Sequence, residues 1–238
     1  MIRYVLPFPV QPGKSESDVK GLANLFSSRP AEYQESRRRA GVTLERAYLQ
    51  KTPMGNFVVT YVEGTKSYME TLQALMDRSL DINQRFIDHL KDVHGMDETQ
   101  PPPAPENVIE WADPEVMTRQ RGLAFLAPEI PGTEDAGRAF GREASVTRLA
   151  EFTASRRALK QNLEIVTLLE TPMGPIIAVY LEGEDPIQGN ATFAASQQPF
   201  DRWFKDECKK LFPPEVNFDE PLPPVEEVFD SQAVLAKA

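Results

Sequence analysis

The chain has 238 residues, with 26 Lys and Arg against 36 Asp and Glu, a net charge of −10 and a single cysteine. An acidic surface does not neutralise phosphates, so nucleic acid is excluded as a partner, and one cysteine excludes both a disulfide framework and a thiolate zinc cluster. No apolar run nears the roughly 20 residues of a membrane helix, and residues 1–14 lack the basic segment ahead of an apolar core that marks a signal peptide, so a cytoplasmic protein is expected.

In chain order, Ile2, Tyr4, Leu6 and Phe8 alternate with Arg3, Val5 and Pro7, a strand pattern stopped by Gln11, Pro12 and Gly13. Ser15 is a helix N-cap, and Leu22, Phe26 and Tyr33 keep helical spacing as far as Gly41, which predicts one helix over 15–41. Residues 43–51 and 57–62 read as two strands of a hairpin whose turn is Thr52, Pro53, Met54 and Gly55. Tyr68, Leu72, Leu75, Met76, Ser79, Phe86, Leu90 and Val93 then predict a second helix of about six turns, and 108–111 a short last strand.

That order, βαββαβ, occurs twice. Residues 29–64 align with 148–183 at a constant offset of 119 without a gap, and 16 of the 36 positions are identical. Random pairs match at about one position in 16 to 20, so the chain is an internal duplication. The hairpin turn recurs as Thr171, Pro172, Met173 and Gly174, and a proline cluster follows the second helix of each copy, at 101–105 and 221–224. The expected domains are 1–116 and 117–238, each proline-rich connection being expected to wrap the neighbouring half.

The Pro-Gly-Lys block at 12–14, Ser-Arg-Arg at 36–38, the Thr-Pro-Met-Gly turn and the element order resemble those of the dimeric α/β-barrel superfamily, including small bacterial members. The resemblance implies an α+β fold: two tandem ferredoxin-like repeats forming an intramolecular pseudo-dimeric α/β barrel. It implies a range of activities, since members include cofactor-free monooxygenases, isomerases, cyclases, haem proteins and non-catalytic stress proteins, and fold alone does not choose among them. Two classes follow. One is a cofactor-independent enzyme of monooxygenase, isomerase or lyase type acting on a hydrophobic or aromatic small molecule; the other is a non-catalytic ligand-binding or stress-associated barrel. Either is compatible with a monomer or a homodimer.

Polar residues kept in both copies at core-facing positions are the first site candidates. Helix phase places Arg29 and Arg37 roughly 40° to either side of Tyr33, and Arg148 and Arg156 flank Phe152 in the same way. Glu45 and Tyr61 follow on the next two strands, matched by Glu164 and Tyr180. Arg37 or Arg156 would hold an anion, Glu45 or Glu164 would serve as acid or base, and Tyr61 or Tyr180 would orient the ligand; the competing reading is a structural ion pair tying helix to sheet. Residues present in one copy only merit equal scrutiny, because a site built once can survive in one half. These are His89, His94, Tyr48, Trp111, Trp203 and Cys208. His89 and His94 are about 140° apart on a helix, which predicts that they do not share a metal, and a histidine near a helix C-terminus reads as solvated. No cofactor and no metal site is expected; the resemblance leaves haem open, with His89 as its candidate ligand. Cys208 continues an apolar stripe and reads as a buried, inert thiol.

Overall fold

The computed structural model describes residues 1–97, 99, 102–116, 118–171 and 173–236. Glu98, Pro101 of the first proline cluster, Pro172 of the second hairpin turn, Met117 and the last two residues of the tail lie outside the described residues. The chain divides into two compact units, Met1–Ala104 with Glu226–Ala238, and Pro105–Val225.

Unit 1 contains β1 (Ile2–Pro9), α1 (Glu16–Ser28), α2 (Pro30–Ala40), β2 (Val42–Thr52), β3 (Gly55–Gly64), α3 (Tyr68–Leu75) and α4 (Asp81–His94). Unit 2 contains β4 (Glu106–Ala112), β5 (Arg121–Pro128), α5 (Glu134–Arg142), a π-helical turn over Glu143–Thr147, α6 (Leu149–Ala158), β6 (Gln161–Thr171), β7 (Gly174–Gly183), α7 (Pro186–Ala195) and α8 (Pro199–Leu211). The chain ends with β8 (Val225–Asp230) and α9 (Ser231–Leu235) in unit 1. Each unit holds one four-stranded sheet, ordered β1-β3-β2-β8 and β4-β6-β7-β5. Each sheet therefore combines three strands of one sequence copy with the last strand of the other.

The strands fall where alternation places them, and the registers repeat at the offset of 119: Tyr4 pairs with Val62 and Glu45 with Val62, as Leu123 and Glu164 pair with Leu181. In both hairpin turns the threonine hydroxyl donates to the carbonyl of the glycine three residues on, Thr52 to Gly55 at 2.8 Å and Thr171 to Gly174 at 2.7 Å. Ser15 caps α1 in a reciprocal box with Asp18. Gly64 and Gly183 begin the return to the helices at a point of close backbone approach. A Cβ there would lie 2.8 Å from the Gly41 carbonyl oxygen or 2.4 Å from that of Lys160.

Both long helices expected from the first copy are broken. The first is split at Arg29, because Pro30 supplies no N–H and restricts the residue before it; Arg29 sits at φ −132°, ψ 56°, outside the helical region. The second is interrupted between Leu75 and Asp81. Asp77 accepts from the backbone and hydroxyl of Ser79, and the Asn83 amide donates to the carbonyls of Ala74 and Asp77 at 3.1 and 2.9 Å, satisfying groups that a continuous helix would have used. Apolar periodicity runs on through both breaks because the segments on either side face the same core.

Candidate functional site

The two copies share one polar device. In unit 1 the Arg37 guanidinium, 4% exposed, donates through Nε to Glu45 Oε2 at 2.8 Å and through Nη2 to Oε1 at 3.3 Å. It lies over the rings of Phe26, Tyr33 and Phe86 at 4.6, 4.8 and 5.0 Å. In unit 2 Arg156, 3% exposed, reaches Glu164 at 2.6 and 3.2 Å and lies over Phe152, Phe204 and Phe193. A serine before each arginine accepts from its Nη1 at 3.1 Å and donates onward to the next helix, Ser36 to Asn83 and Ser155 to Asp201 at 2.5 Å each. The arrangement ties helix, strand and second helix together in both units.

Arg29 and Arg148 do not join it. With the helix broken at Arg29 the 40° phase no longer applies, and Arg29 pairs with Asp81 at 2.6 Å. Arg148 pairs with Glu151 and covers the Trp203 ring at 3.9 Å. Tyr61 and Tyr180 are also apart from the arginine and glutamate of their units. Tyr61 pairs across the sheet with Arg46, so it occupies the opposite face from Glu45, and it donates to Glu63 at 2.8 Å. Tyr180 likewise donates to Glu182 at 2.9 Å.

On the Glu45 face of the unit 1 sheet lies a cavity of about 100 Å³, walled by Tyr4, Leu6 and Phe8 of β1, Glu45 and Ala47 of β2, Val58, Thr60 and Val62 of β3, and residues of α1, α3 and α4. Its polar wall groups are Tyr4, Glu45, Thr60, Tyr68, Thr71, His89 and His94. Tyr4 and Tyr68 stack edge to face at 5.4 Å, and burial pushes both phenols up to about 12. Tyr68 donates to the Pro102 carbonyl at 3.3 Å, and Thr71 to the Ala40 carbonyl at 3.2 Å.

The two histidines are closer than helix phase predicts, with ring centroids 5.6 Å apart. His94 ends α4, next to the left-handed Gly95 at φ 67°, and its ring turns back toward β1, where Nδ1 lies 2.9 Å from the Pro9 carbonyl oxygen. It is 5% exposed, not solvated as the sequence suggested. A carbonyl oxygen only accepts, so Nδ1 carries the hydrogen and Nε2 keeps the lone pair. Burial lowers the pKa of His94, and burial together with His94 pushes the His89 imidazole down to about 4. Both rings are therefore neutral at pH 7. A histidine with a depressed folded-state pKa stabilises fully above the unfolded value, near 6.5, and loses that contribution as pH falls toward the folded value. Urea unfolding from pH 7 to pH 4 is accordingly expected to show falling stability, and His89→Leu a shallower fall; equal slopes for the two proteins would count against the burial assigned to His89.

The same face of the unit 2 sheet carries an aromatic cluster of Phe140, Phe152, Phe193, Phe200, Trp203, Phe204 and Phe212. Phe204 sits 4.8 Å from Phe140, 5.8 Å from Phe193 and 6.1 Å from Phe200. At the 119 offset Tyr4 and Thr60 become Leu123 and Val179; in the helices after the hairpin, where the caps Ser67 and Asp185 set the offset at 118, Tyr68 becomes Pro186 and His94 becomes Phe212. Cys208 is buried in this cluster, and burial pushes its thiol up. Tyr4, Thr60, Tyr68 and Thr71 were not among the sequence candidates. The signal that finds Tyr4 and Thr60 is polarity on the Glu45 face where the second copy has Leu123 and Val179. Among the described residues no group of three or more His, Cys, Asp or Glu side chains is placed to hold a metal ion, and no helix is long and apolar enough to cross a membrane.

Solved structures with a similar chain path include an anthrone oxidase-like protein, with a TM-score of 0.52 and 9% identity over 94% of this chain and 90% of that one. A candidate monooxygenase from Lactobacillus acidophilus NCFM has a TM-score of 0.51 and 8% identity over 97% and 93% of the two chains. The fold is of the ferredoxin-like α+β kind. No family model matches the chain, and no curated protein matches it. At such identities the likeness concerns the fold alone.

Proposed function

We propose that the chain is a small-molecule-binding protein whose two ferredoxin-like repeats, 1–116 and 117–238, form a pseudo-dimeric α/β barrel, and that it acts as a cofactor-independent enzyme on a hydrophobic or aromatic substrate. The observation that carries this reading is the asymmetry between units. A common scaffold holds Arg37 with Glu45 and Arg156 with Glu164, yet Tyr4, Thr60, Tyr68 and His94 of the cavity wall stand in unit 1 where unit 2 has Leu123, Val179, Pro186 and Phe212. Unit 2 builds the same sheet and helix pair with apolar side chains at those positions, so the scaffold itself does not call for the polar ones. The neighbours of monooxygenase and anthrone oxidase-like description agree with this class.

Within the site the proton acceptor is His94. Its Nδ1–H is fixed by Pro9 and its Nε2 lone pair is free of that bond, whereas both Glu45 oxygens are held by Arg37 and one also by Tyr33. The step common to oxygenation, isomerisation and elimination is removal of a proton from the substrate, with the electron pair left on the substrate and the proton on Nε2. Arg37 and Glu45 fix the wall, and Tyr61, Arg156, Glu164 and Tyr180 lie outside it. A cavity of about 100 Å³ is well below the roughly 300 Å³ at which pockets for large ligands begin, which argues against a haem on His89. Oxygen uptake and product mass should be measured across a panel of single-ring substrates, wild type against His94→Phe. The expected result is turnover of one class that falls at least about 100-fold in the variant. Binding without turnover anywhere in the panel would support the non-catalytic ligand-binding alternative.

A further inference from the structure

We propose that the unit 1 cavity takes an uncharged, single-ring molecule bearing a hydrogen-bond donor, of which phenol is the simplest member; this rests on the reading of that cavity as the functional site. Three features of the wall set the class. The first is size. A volume of about 100 Å³ is of the order of the ~150 Å³ apolar cavity that holds one benzene ring, so fused ring systems exceed it.

The second is charge. Glu45 is the wall's acidic side chain, and Arg37 donates to both of its oxygens. The two tyrosines and two histidines are neutral there. A buried anion or cation would find no unpaired counter-charge, and burial of an unpaired ion is heavily penalised.

The third is the direction of the hydrogens. Tyr68 and Thr71 give theirs to the carbonyls of Pro102 and Ala40, and His94 gives its Nδ1–H to Pro9. What these groups retain is a lone pair on His94 Nε2 and on the Tyr68 hydroxyl oxygen, the Thr71 hydroxyl being shared with the Tyr4 phenol. Buried acceptors are satisfied by donors, so the occupant supplies an O–H or N–H.

Phenol, anisole, toluene and sodium benzoate, titrated separately into the full chain at pH 7 with ligand-observed NMR, separate these features. Phenol is expected to bind at least tenfold more tightly than anisole or toluene, a factor equal to about 1.4 kcal/mol, within the range of one hydrogen bond. Benzoate should bind at least tenfold more weakly than phenol. His94→Leu should bring phenol and toluene within about twofold of each other, and Tyr68→Phe should narrow the same ratio should the first variant not fold. Equal binding of phenol, anisole and toluene overturns the donor assignment, and benzoate binding as tightly as phenol overturns the uncharged one; both leave the cavity reading standing. Failure of all four to bind overturns the cavity reading and this inference with it.

Discussion

Arg156→Met is expected to destabilise the chain by about 3–5 kcal/mol, the range for breaking a buried ion pair by removing one partner. Arg156 is enclosed by three aromatic rings and bonded to Glu164 through two nitrogens. Its loss strands a carboxylate that is 5% exposed and whose ion-pair partner is Arg156 itself, at 2.6 Å. Removing both ends, Arg156→Met with Glu164→Leu, should recover most of the loss, because two apolar side chains of similar volume leave no charge unpaired. Arg37→Met should cost less than Arg156→Met. Glu45 keeps the Tyr33 hydroxyl at 3.1 Å and borders a cavity that can admit water, whereas the residue equivalent to Tyr33 in unit 2 is Phe152. Urea unfolding monitored by far-ultraviolet circular dichroism, which reports on both units, checks the order. A cost under about 1 kcal/mol for Arg156→Met would contradict the structural role given to the pair.

The second large effect concerns binding. Tyr4→Leu, Thr60→Val and His94→Phe together install in unit 1 the residues that unit 2 carries at the same scaffold positions, Leu123, Val179 and Phe212. The triple variant is expected to fold, since Val179 and Phe212 pack in the unit 2 cluster and Leu123 is buried on the equivalent strand, and to bind a phenol-class ligand at least about 100-fold more weakly. Loss of the His94 Nε2 acceptor and of the Tyr4 and Thr60 hydroxyls from the wall act in the same direction. Tyr61→Phe is the matching control: it removes a hydroxyl on the opposite face of the same sheet and should leave affinity within about twofold. Titration of both variants beside wild type decides this, and retained affinity in a folded triple variant would place the ligand elsewhere.

Much of this was legible because it is local. Alternation at Ile2, Tyr4, Leu6 and Phe8, the Thr-Pro-Met-Gly turns and the constant offset each depend on a few neighbouring residues, and all recur in the sheets. The pairing of Arg37 with Glu45 was also legible, since Tyr33 and Arg37 are one helical turn apart and face the same strand. The helix breaks were not. Pro30 lies in a run whose apolar spacing continues past it, and the break before α4 depends on Asn83, distant in sequence from the Ala74 carbonyl it caps. Grouping Tyr61 with Glu45 combined two faces of one sheet, because the register that pairs Tyr61 with Arg46 is set by how β2 and β3 meet rather than by either strand alone. The cavity depends on volume left over after packing, which no single residue encodes. Its polarity, by contrast, was present in the self-comparison at Tyr4 against Leu123 and Thr60 against Val179.

The most direct measurement is a crystal of the full chain soaked with 4-bromophenol and examined for the anomalous signal of bromine. One site per chain is expected, between the β1, β2 and β3 face and helices α1, α3 and α4, with the ring hydroxyl within hydrogen-bond distance of His94 Nε2. Bromine beside the Arg156 and Glu164 pair of unit 2, in both units equally, or only at the molecular surface, would contradict the assignment of function to unit 1.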